Sequence, residues 1–455
     1  MEPTPLENVA LWAGGSLRAG HERALVSSVC TDSRSLKPGD LFIALRGEKF
    51  DAHTFIAEAA RLGAVGVIAE EVPPGLPAEF GVIMVTDTLR ALQELAMNYR
   101  RSLPMQVVGL TGSSGKTTTK DMTASVLSRR FQVARTAGNL NNHIGLPLTI
   151  LRARESDQAG VFEMGMNHPG EIAPLAAIAG PDVAIITNVG TAHIEHMGTR
   201  AAIALEKGML AEALHPGGWL ILNGDDEFSD SIAERTKADV VLAGLERGEV
   251  RASDLHPHLN GTRFKLEADG RSVEAEVPVP GVHMVRNALL AAACGRVFGL
   301  TLEECADGLR ELHLTKGRLE QKILRGIHVL DDSYNANPDS MAAALATLSQ
   351  LPSAGRRIAV LGRMGELGHE AEPGHRRAGE LAAHLGIDCV IGIGEEAHWI
   401  TDSAYKGGVE RVVQCESIEE ALQHLHGYAR AGDIVLVKGS RSSRMERIVE
   451  GLQAA

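Results

Sequence analysis

No uninterrupted apolar run among the 455 residues approaches the roughly 20 needed to cross a bilayer, so no helical membrane insertion is expected. The opening Met1-Glu2-Pro3-Thr4 lacks the basic residues and apolar stretch of a secretory leader, and a cytoplasmic protein is expected. Cysteine is sparse. Cys30, Cys294, Cys305, Cys389 and Cys415 are scattered, odd in number and never in a Cys-x-x-Cys pair. Neither a disulfide framework nor a zinc site is signalled, and free thiols in a reducing compartment are the expectation. Positive charge is in deficit, with 45 Lys and Arg against 58 Asp and Glu leaving a net −13. That argues against nucleic acid or an anionic membrane as partner, while leaving room for a local basic cleft. There is no internal repeat and no low-complexity tract.

What is present is enough apolar residue for several cores, 44% of the chain. The length suggests about three domains. Residues 1–86 mix short strands (Leu41–Leu45, Val65–Ile68) with a helix around Thr54–Leu62 and end in the Pro/Gly-rich Val72–Pro77 region. Residues 87–314 begin with a helix near Leu89–Arg101. They then alternate strand-like runs (107–110, 161–163, 183–187, 219–222) with helical patterns at 117–129, 171–179 and 200–214. Residues 315–455 repeat the alternation, with strands near 327–330, 357–361, 388–393 and 433–437. This spacing predicts parallel sheets covered on both faces, with functional loops at the carboxyl ends of the strands. The expected fold is therefore α/β in three domains: an N-terminal α/β unit, a central ATPase-like parallel sheet, and a C-terminal Rossmann-like unit.

Two segments carry the chemistry. Thr111-Gly112-Ser113-Ser114-Gly115-Lys116-Thr117-Thr118 follows the apolar Val107-Val108-Gly109-Leu110. Gly112 and Gly115 let the backbone approach phosphate oxygens, and the N-terminus of the following helix adds partial positive charge. Lys116 can reach the β- and γ-phosphates, and the Thr117 hydroxyl can ligate Mg²⁺. The pattern is the short G-x-x-G-K-T, because the first glycine of the longer GxxxxGK[ST] would fall on Leu110. Thr236-Lys237-Ala238-Asp239 resembles a guanine-reading tetrapeptide, but it precedes its strand where a ligand loop should follow one. Adenine is the expected base. The second segment, Asp331-Asp332-Ser333-Tyr334-Asn335-Ala336-Asn337-Pro338, follows Ile327–Leu330 as a polar loop of carboxylates and amides. Together the two suggest a nucleoside triphosphate held between domains.

Three further residues draw attention, and each has an ordinary reading when taken alone. Glu163 ends a strand, where a carboxylate beside a phosphate loop suits Mg²⁺ but is also a common solvated loop residue. His193 follows the strand at 183–187; its neighbour His196 suggests zinc only weakly, because the HExxH frame is missing. Lys207 lies on a helix, where an exposed lysine is the usual case.

Read together, these residues resemble the Mur ligase family, ATP-dependent amide-bond formers of peptidoglycan precursor synthesis. Thr111–Thr117 is similar to their common phosphate loop. Asp332–Pro338 is similar to the version in the branch that adds D-alanyl-D-alanine. Supporting stretches span nearly the whole chain: Thr31–Arg34 with Gly39–Phe42, Gly138–Asn142 with Ile144–Pro147, Lys316-Gly317-Arg318, and Lys438-Gly439-Ser440-Arg441. The resemblance implies ATP and Mg²⁺ as cofactors, UDP-N-acetylmuramoyl-tripeptide and D-alanyl-D-alanine as substrates, and a monomer. Ser33 and Arg34 would lie near the uracil and diphosphate, and Asn139, Asn141 and Asn142 along the nucleotide-sugar path. Glu163 and His193 would hold magnesium, assisted by Lys207 in carbamylated form. Such a lysine must be shielded enough to lose its proton, since the free side chain titrates near 10.4. Asn287 would meet adenine, with Arg318 near phosphate and Asp332 near ribose. Tyr334, Asn335, Asn337, Lys438, Ser440 and Arg441 would also bind substrate.

Three positions depart from the family pattern. Met284 replaces an asparagine, Arg363 an aspartate and Ala52 a glycine, so the expected amide contact, charge and turn at those places are put in question. The nearest rival function is another amide ligase of the same family, disfavoured by the Tyr334–Pro338 run. A nucleotide-gated switch without ligation is the rival from another class.

Overall fold

The structure, a computed structural model, describes residues 1–47 and 49–454. It builds three α/β domains on three sheets, with a two-stranded pairing of Thr4–Pro5 and Leu25–Val26 beside the first. The first sheet has five strands in the spatial order Ser16–Ala19, Gly81–Met84, Gly66–Ala69, Asp40–Ile43, Ser28–Cys30. All neighbours are parallel except the first pair. The turn in doubt at Ala52 forms without glycine. Asp51 Oδ1 accepts the His53 N–H at 3.0 Å and opens a 3₁₀ turn over Ala52–Phe55.

The central sheet has nine strands. Gln106–Thr111 lies in it between Val183–Ile186 and Ala159–Glu163, parallel to both. Val107, Val108, Leu110, Val161, Phe162 and Ile185 are fully buried, as near-continuous apolar strands covered on two faces must be. The loops after these three neighbours (Gly112–Gly115, Met164–Asn167 and Thr187–His193) therefore emerge side by side at one edge. Beyond Asp239–Gly244 the sheet departs from the all-parallel expectation. Val250–His258, Gly261–Ala268 and Arg271–Val277 form an antiparallel meander on its edge. Its last hairpin turns at Asp269 and Gly270, both at positive φ, the conformation that tight hairpin turns require.

The third sheet runs Glu320–Leu324, Ile327–Asp332, Ile434–Lys438, Arg357–Leu361, Cys389–Ile393, Arg411–Cys415. Only the first strand is antiparallel. The strands at Ile327–Asp332 and Ile434–Lys438 are adjacent, which sets the loop beginning at Ser333 beside Gly439–Arg441. The joint between central and third domains is anchored at Asp121, on the phosphate-loop helix Lys116–Leu127. Its Oδ2 accepts the backbone N–H of Thr315 at 2.9 Å and that residue's hydroxyl at 2.8 Å. Among the described residues no helix is long and apolar enough to cross a membrane.

Candidate active site

The phosphate loop is held by close approach. Gly112 and Gly115 have φ of 153° and 79°. A Cβ on Gly112 would fall 1.8 Å from Thr187 Oγ1, and one on Gly115 2.6 Å from Asn287 Oδ1. Asn188 fixes the loop from the neighbouring strand end. Its carbonyl accepts the Ser113 N–H at 3.0 Å, its Oδ1 accepts the Ser114 N–H at 2.9 Å, and its Nδ2 donates to the Ser114 carbonyl at 3.0 Å. Lys116 folds back across the loop and donates to the Gly112 carbonyl at 2.7 Å. Burial lowers its pKa, opposed by Glu163 and Glu366 and reinforced by Arg318.

Beside the loop, Glu163 is 2% exposed. Its Oε1 accepts from Asn141 Nδ2 at 2.8 Å, and its buried Oε2 has no partner among the described residues. Lys207, on the helix Arg200–Glu212, is fully buried and its Nζ also has no partner. Desolvation, with the like charge of Lys116, drives its pKa well below the usual lysine value. An unpartnered carboxylate oxygen beside the phosphate loop, with the Thr117 hydroxyl and His193 on the same cavity, is a donor set that suits a hard divalent cation. The residues present therefore fit magnesium. His193 stands in the left-handed region at φ 64°, with its Nδ1 against Glu366 Oε2 of the third domain. Burial lowers the His193 pKa, and the bond to His193 lowers that of Glu366, so a neutral imidazole donates Nδ1–H to a carboxylate.

The third domain closes the other wall. Asn337 Nδ2 donates to Ser114 Oγ at 3.0 Å, and Asp339 Oδ2 accepts the Thr191 N–H at 2.8 Å. Asn337 and Ser340 form a reciprocal cap on the helix Pro338–Gln350, whose first turn faces the phosphate loop. Arg318 bridges the domains, with Nη2 3.3 Å from Thr117 Oγ1 and its guanidinium 4.3 Å from the Tyr334 ring centroid. Lys438, 1% exposed, donates to Asp332 Oδ2 and, at 3.0 Å, to the Asn335 carbonyl. Burial lowers its pKa against the pull of Asp332.

One cavity of about 1260 Å³ is lined by the loop from Ser113 to Thr118 and by Glu163, His193, Asn139, Asn141, Asn142 and Asn287. From the hinge and third domain Arg318, Asp332, Tyr334, Asn335, Asn337, Lys438, Ser440 and Arg441 join them. Lys207 lies behind this wall rather than on it. Ser33 and Arg34 fall outside, on an exposed 3₁₀ turn where Arg34 pairs with Asp32 at 2.7 Å. Two of the asparagines already have local work. Asn141 holds Glu163, and Asn142 Oδ1 accepts the Gly145 N–H at 2.8 Å. Of the departures, Met284 is a buried wall of the cavity and Arg363 lies 3.4 Å from Glu396 at its rim. Sequence reasoning missed Asn188, Asp339 and Glu366. Asn188 lies between the 183–187 strand and His193, and Glu366 three residues after Arg363. A polar residue at a strand's carboxyl end was the available signal.

Comparison with known proteins agrees with this layout. Family models match along the chain: "Mur ligase family, catalytic domain" over residues 25–100, "Mur ligase middle domain" over 110–295, and "Mur ligase, glutamate ligase domain" over 317–441. The UDP-N-acetylmuramoyl-tripeptide--D-alanyl-D-alanine ligase of Bacillus subtilis is 38% identical, over 98% of each chain. The chain belongs to the Mur ligase family. The Escherichia coli ligase of the same name is 39% identical over 94% of each chain. Among solved Mur ligases, MurF from Acinetobacter baumannii superposes with a TM-score of 0.92 at 33% identity, covering 100% of both chains. MurF ligase from Thermotoga maritima in complex with ADP gives 0.84 at 30% identity, covering 94% of this chain and 97% of that one.

Proposed function

We propose that the protein joins D-alanyl-D-alanine to UDP-N-acetylmuramoyl-tripeptide at the expense of ATP, giving the pentapeptide nucleotide, ADP and phosphate. The observation that carries this reading is the single cavity in which the central phosphate loop faces the Tyr334–Pro338 loop across the Ser114–Asn337 contact. The names of the full-length relatives and the ADP bound by one of the solved neighbours support it.

The tripeptide's terminal carboxylate attacks the γ-phosphorus in line; the bond to the β-bridging oxygen breaks and ADP leaves with its electrons. Lys116 and Arg318 neutralise charge on the transferred group. The D-alanyl-D-alanine amine then attacks the acyl carbon and loses a proton, and phosphate departs from the tetrahedral intermediate. A carboxylate does not condense with an amine unaided in water, so closure of the third domain matters by excluding hydrolysis. We infer that Thr117, Glu163, His193 and Lys207 hold magnesium, which when bound offsets phosphate charge. Lys207 is suited to take up CO₂ because its amine is shielded and readily neutral. Asn287, against Gly115, and Asp332 are assigned to adenine and ribose. Ser33 and Arg34 are assigned to the UDP end, which requires that end to lie beyond the cavity mouth. The five free, buried cysteines fit a cytoplasmic setting.

The test is phosphate release with the tripeptide nucleotide, D-alanyl-D-alanine, or both, with mass spectrometry of the product. A ligase needs both substrates and extends the nucleotide by that dipeptide; a switch hydrolyses ATP without them. Lys116→Ala is expected to lower turnover by at least about 10²-fold with the fold retained. Near-normal phosphate release by that variant contradicts the assignment.

A further inference from the structure

The contact between His193 and Glu366 joins residues 173 apart in sequence and on different domains. Both belong to the small set of non-glycine residues at positive φ among the described residues, His193 at 64° and Glu366 at 60°. Backbone in that region persists only where the surroundings hold it, and such residues concentrate at functional sites. Here each is one half of the same contact. The two loops also touch through the main chain. The Glu195 N–H reaches the Glu366 carbonyl at 3.4 Å, and Gly368 packs so closely on Glu195 that a Cβ would fall 3.1 Å from its side chain. The His193 side chain is 17% exposed and that of Glu366 47%. A pair this open contributes little to stability. Its effect is geometric: with Nδ1–H committed to the carboxylate, the tautomer is fixed and Nε2 keeps its lone pair.

We propose that Glu366 is a positioning residue. Its carboxylate, delivered by the third domain, orients His193 so that Nε2 is presented to the metal, making domain closure and metal capture a single linked event. This rests on the ligase reading, in which His193 is a metal ligand. A carboxylate behind a metal-binding imidazole fixes ring orientation and raises ligand basicity, and its loss commonly weakens metal binding 10–100-fold. Here that support comes from a different domain than the ligand, so an open molecule presents a less ordered imidazole than a closed one.

The experiment titrates Mn²⁺ alone into the full-length protein and reads the electron paramagnetic resonance of the free ion, with no turnover involved. Glu366→Ala is expected to bind Mn²⁺ about 10–100-fold more weakly than wild type. Glu366→Gln keeps an acceptor oxygen for Nδ1–H and should recover at least half of that loss on a logarithmic scale. In a His193→Ala background the Glu366→Ala change should have no further effect, because the carboxylate acts through the ring. Wild-type affinity in Glu366→Ala, no recovery in Glu366→Gln, or an additive loss in the double variant would overturn the proposal. So would a wild-type protein that takes up no Mn²⁺. Product formation by the wild type is assayed separately, so failure of the ligase reading is distinguishable from failure of this one.

Discussion

Replacing Lys207 by methionine should make the protein more stable and inactive at once. Lys207 is fully buried with an unpartnered Nζ, while its aliphatic stem fills the interior between the helix Arg200–Glu212 and the sheet. Methionine retains most of that volume and removes the amine, so little packing is lost. A buried polar group without a partner costs about 1–3 kcal/mol, which is the expected gain of Lys207→Met in CO₂-depleted buffer above the unfolded lysine pKa, with a protonation part added as pH falls. That corresponds to about 2–4 °C per kcal/mol in the melting of a domain of this size. The gain should depend on pH. The folded pKa lies well below the unfolded one, so between the two the unfolded chain binds more protons and wild-type stability rises with pH. The protonation part of the penalty is complete below the folded value, shrinks through the interval and is gone above about 10.4. Chemical denaturation of both proteins across that range measures the gap directly. Added bicarbonate should stabilise wild type, by converting the amine to a carbamate, and leave the methionine variant unchanged. A Lys207→Met protein that is less stable by more than about 1 kcal/mol without CO₂ would refute the orphan-amine argument. Full ligase activity in the same variant would remove Lys207 from the site.

Asp121→Ala should destabilise the protein by about 3 kcal/mol, because it strips a partner from the buried Lys120, 3.0 Å away, and frees the Thr315 joint. An unfolding free energy from urea denaturation within about 0.5 kcal/mol of wild type would contradict this. Asn141→Ala removes the one hydrogen-bond partner of the Glu163 carboxylate and should weaken Mn²⁺ binding about 10-fold. Unchanged affinity would show that Glu163 is oriented by packing alone.

The three-domain α/β plan was legible because strand and helix periods alternate at parallel-sheet spacing, and because Gly112 and Gly115 stand where only glycine fits. The meander over 250–277 was not legible as a sheet edge. Its strands mix buried residues with half-buried and exposed ones, and the antiparallel pairing depends on a register that no local pattern announces. Within the site, Lys116 and Thr117 could be read from a contiguous motif. Glu163 and His193 could be read only by position at strand ends. Glu366 and Asn188 escaped because their roles arise from contacts between segments far apart in the chain, 173 residues in one case and 74 in the other. Lys207 shows the limit most sharply. A lysine in a helix is ordinarily exposed, and only the packed structure reveals an amine held away from water.

The charge pattern of the cleft also says what must drive closure. The chain as a whole carries −13, which repels a triphosphate, yet at physiological salt that repulsion is screened beyond about 8 Å. Inside that distance the cavity walls carry charge of both signs, and the cations Lys116, Arg318, Lys438 and Arg441 reach it from three separate segments. Burial lowers the pKa of both lysines, so the fold holds positive charge where it is unfavourable. Of the carboxylates nearby, Asp332 is committed to Lys438 and Glu366 to His193. A triphosphate bound at the phosphate loop would pair with Lys116 of the central domain and Arg318 of the hinge together, where neither domain alone would gain the full interaction. Nucleotide occupancy would thereby favour the closed arrangement through these charges. It should weaken with rising salt less than a surface ion pair would, because Lys438 is buried and Lys116 and Arg318 are partly so.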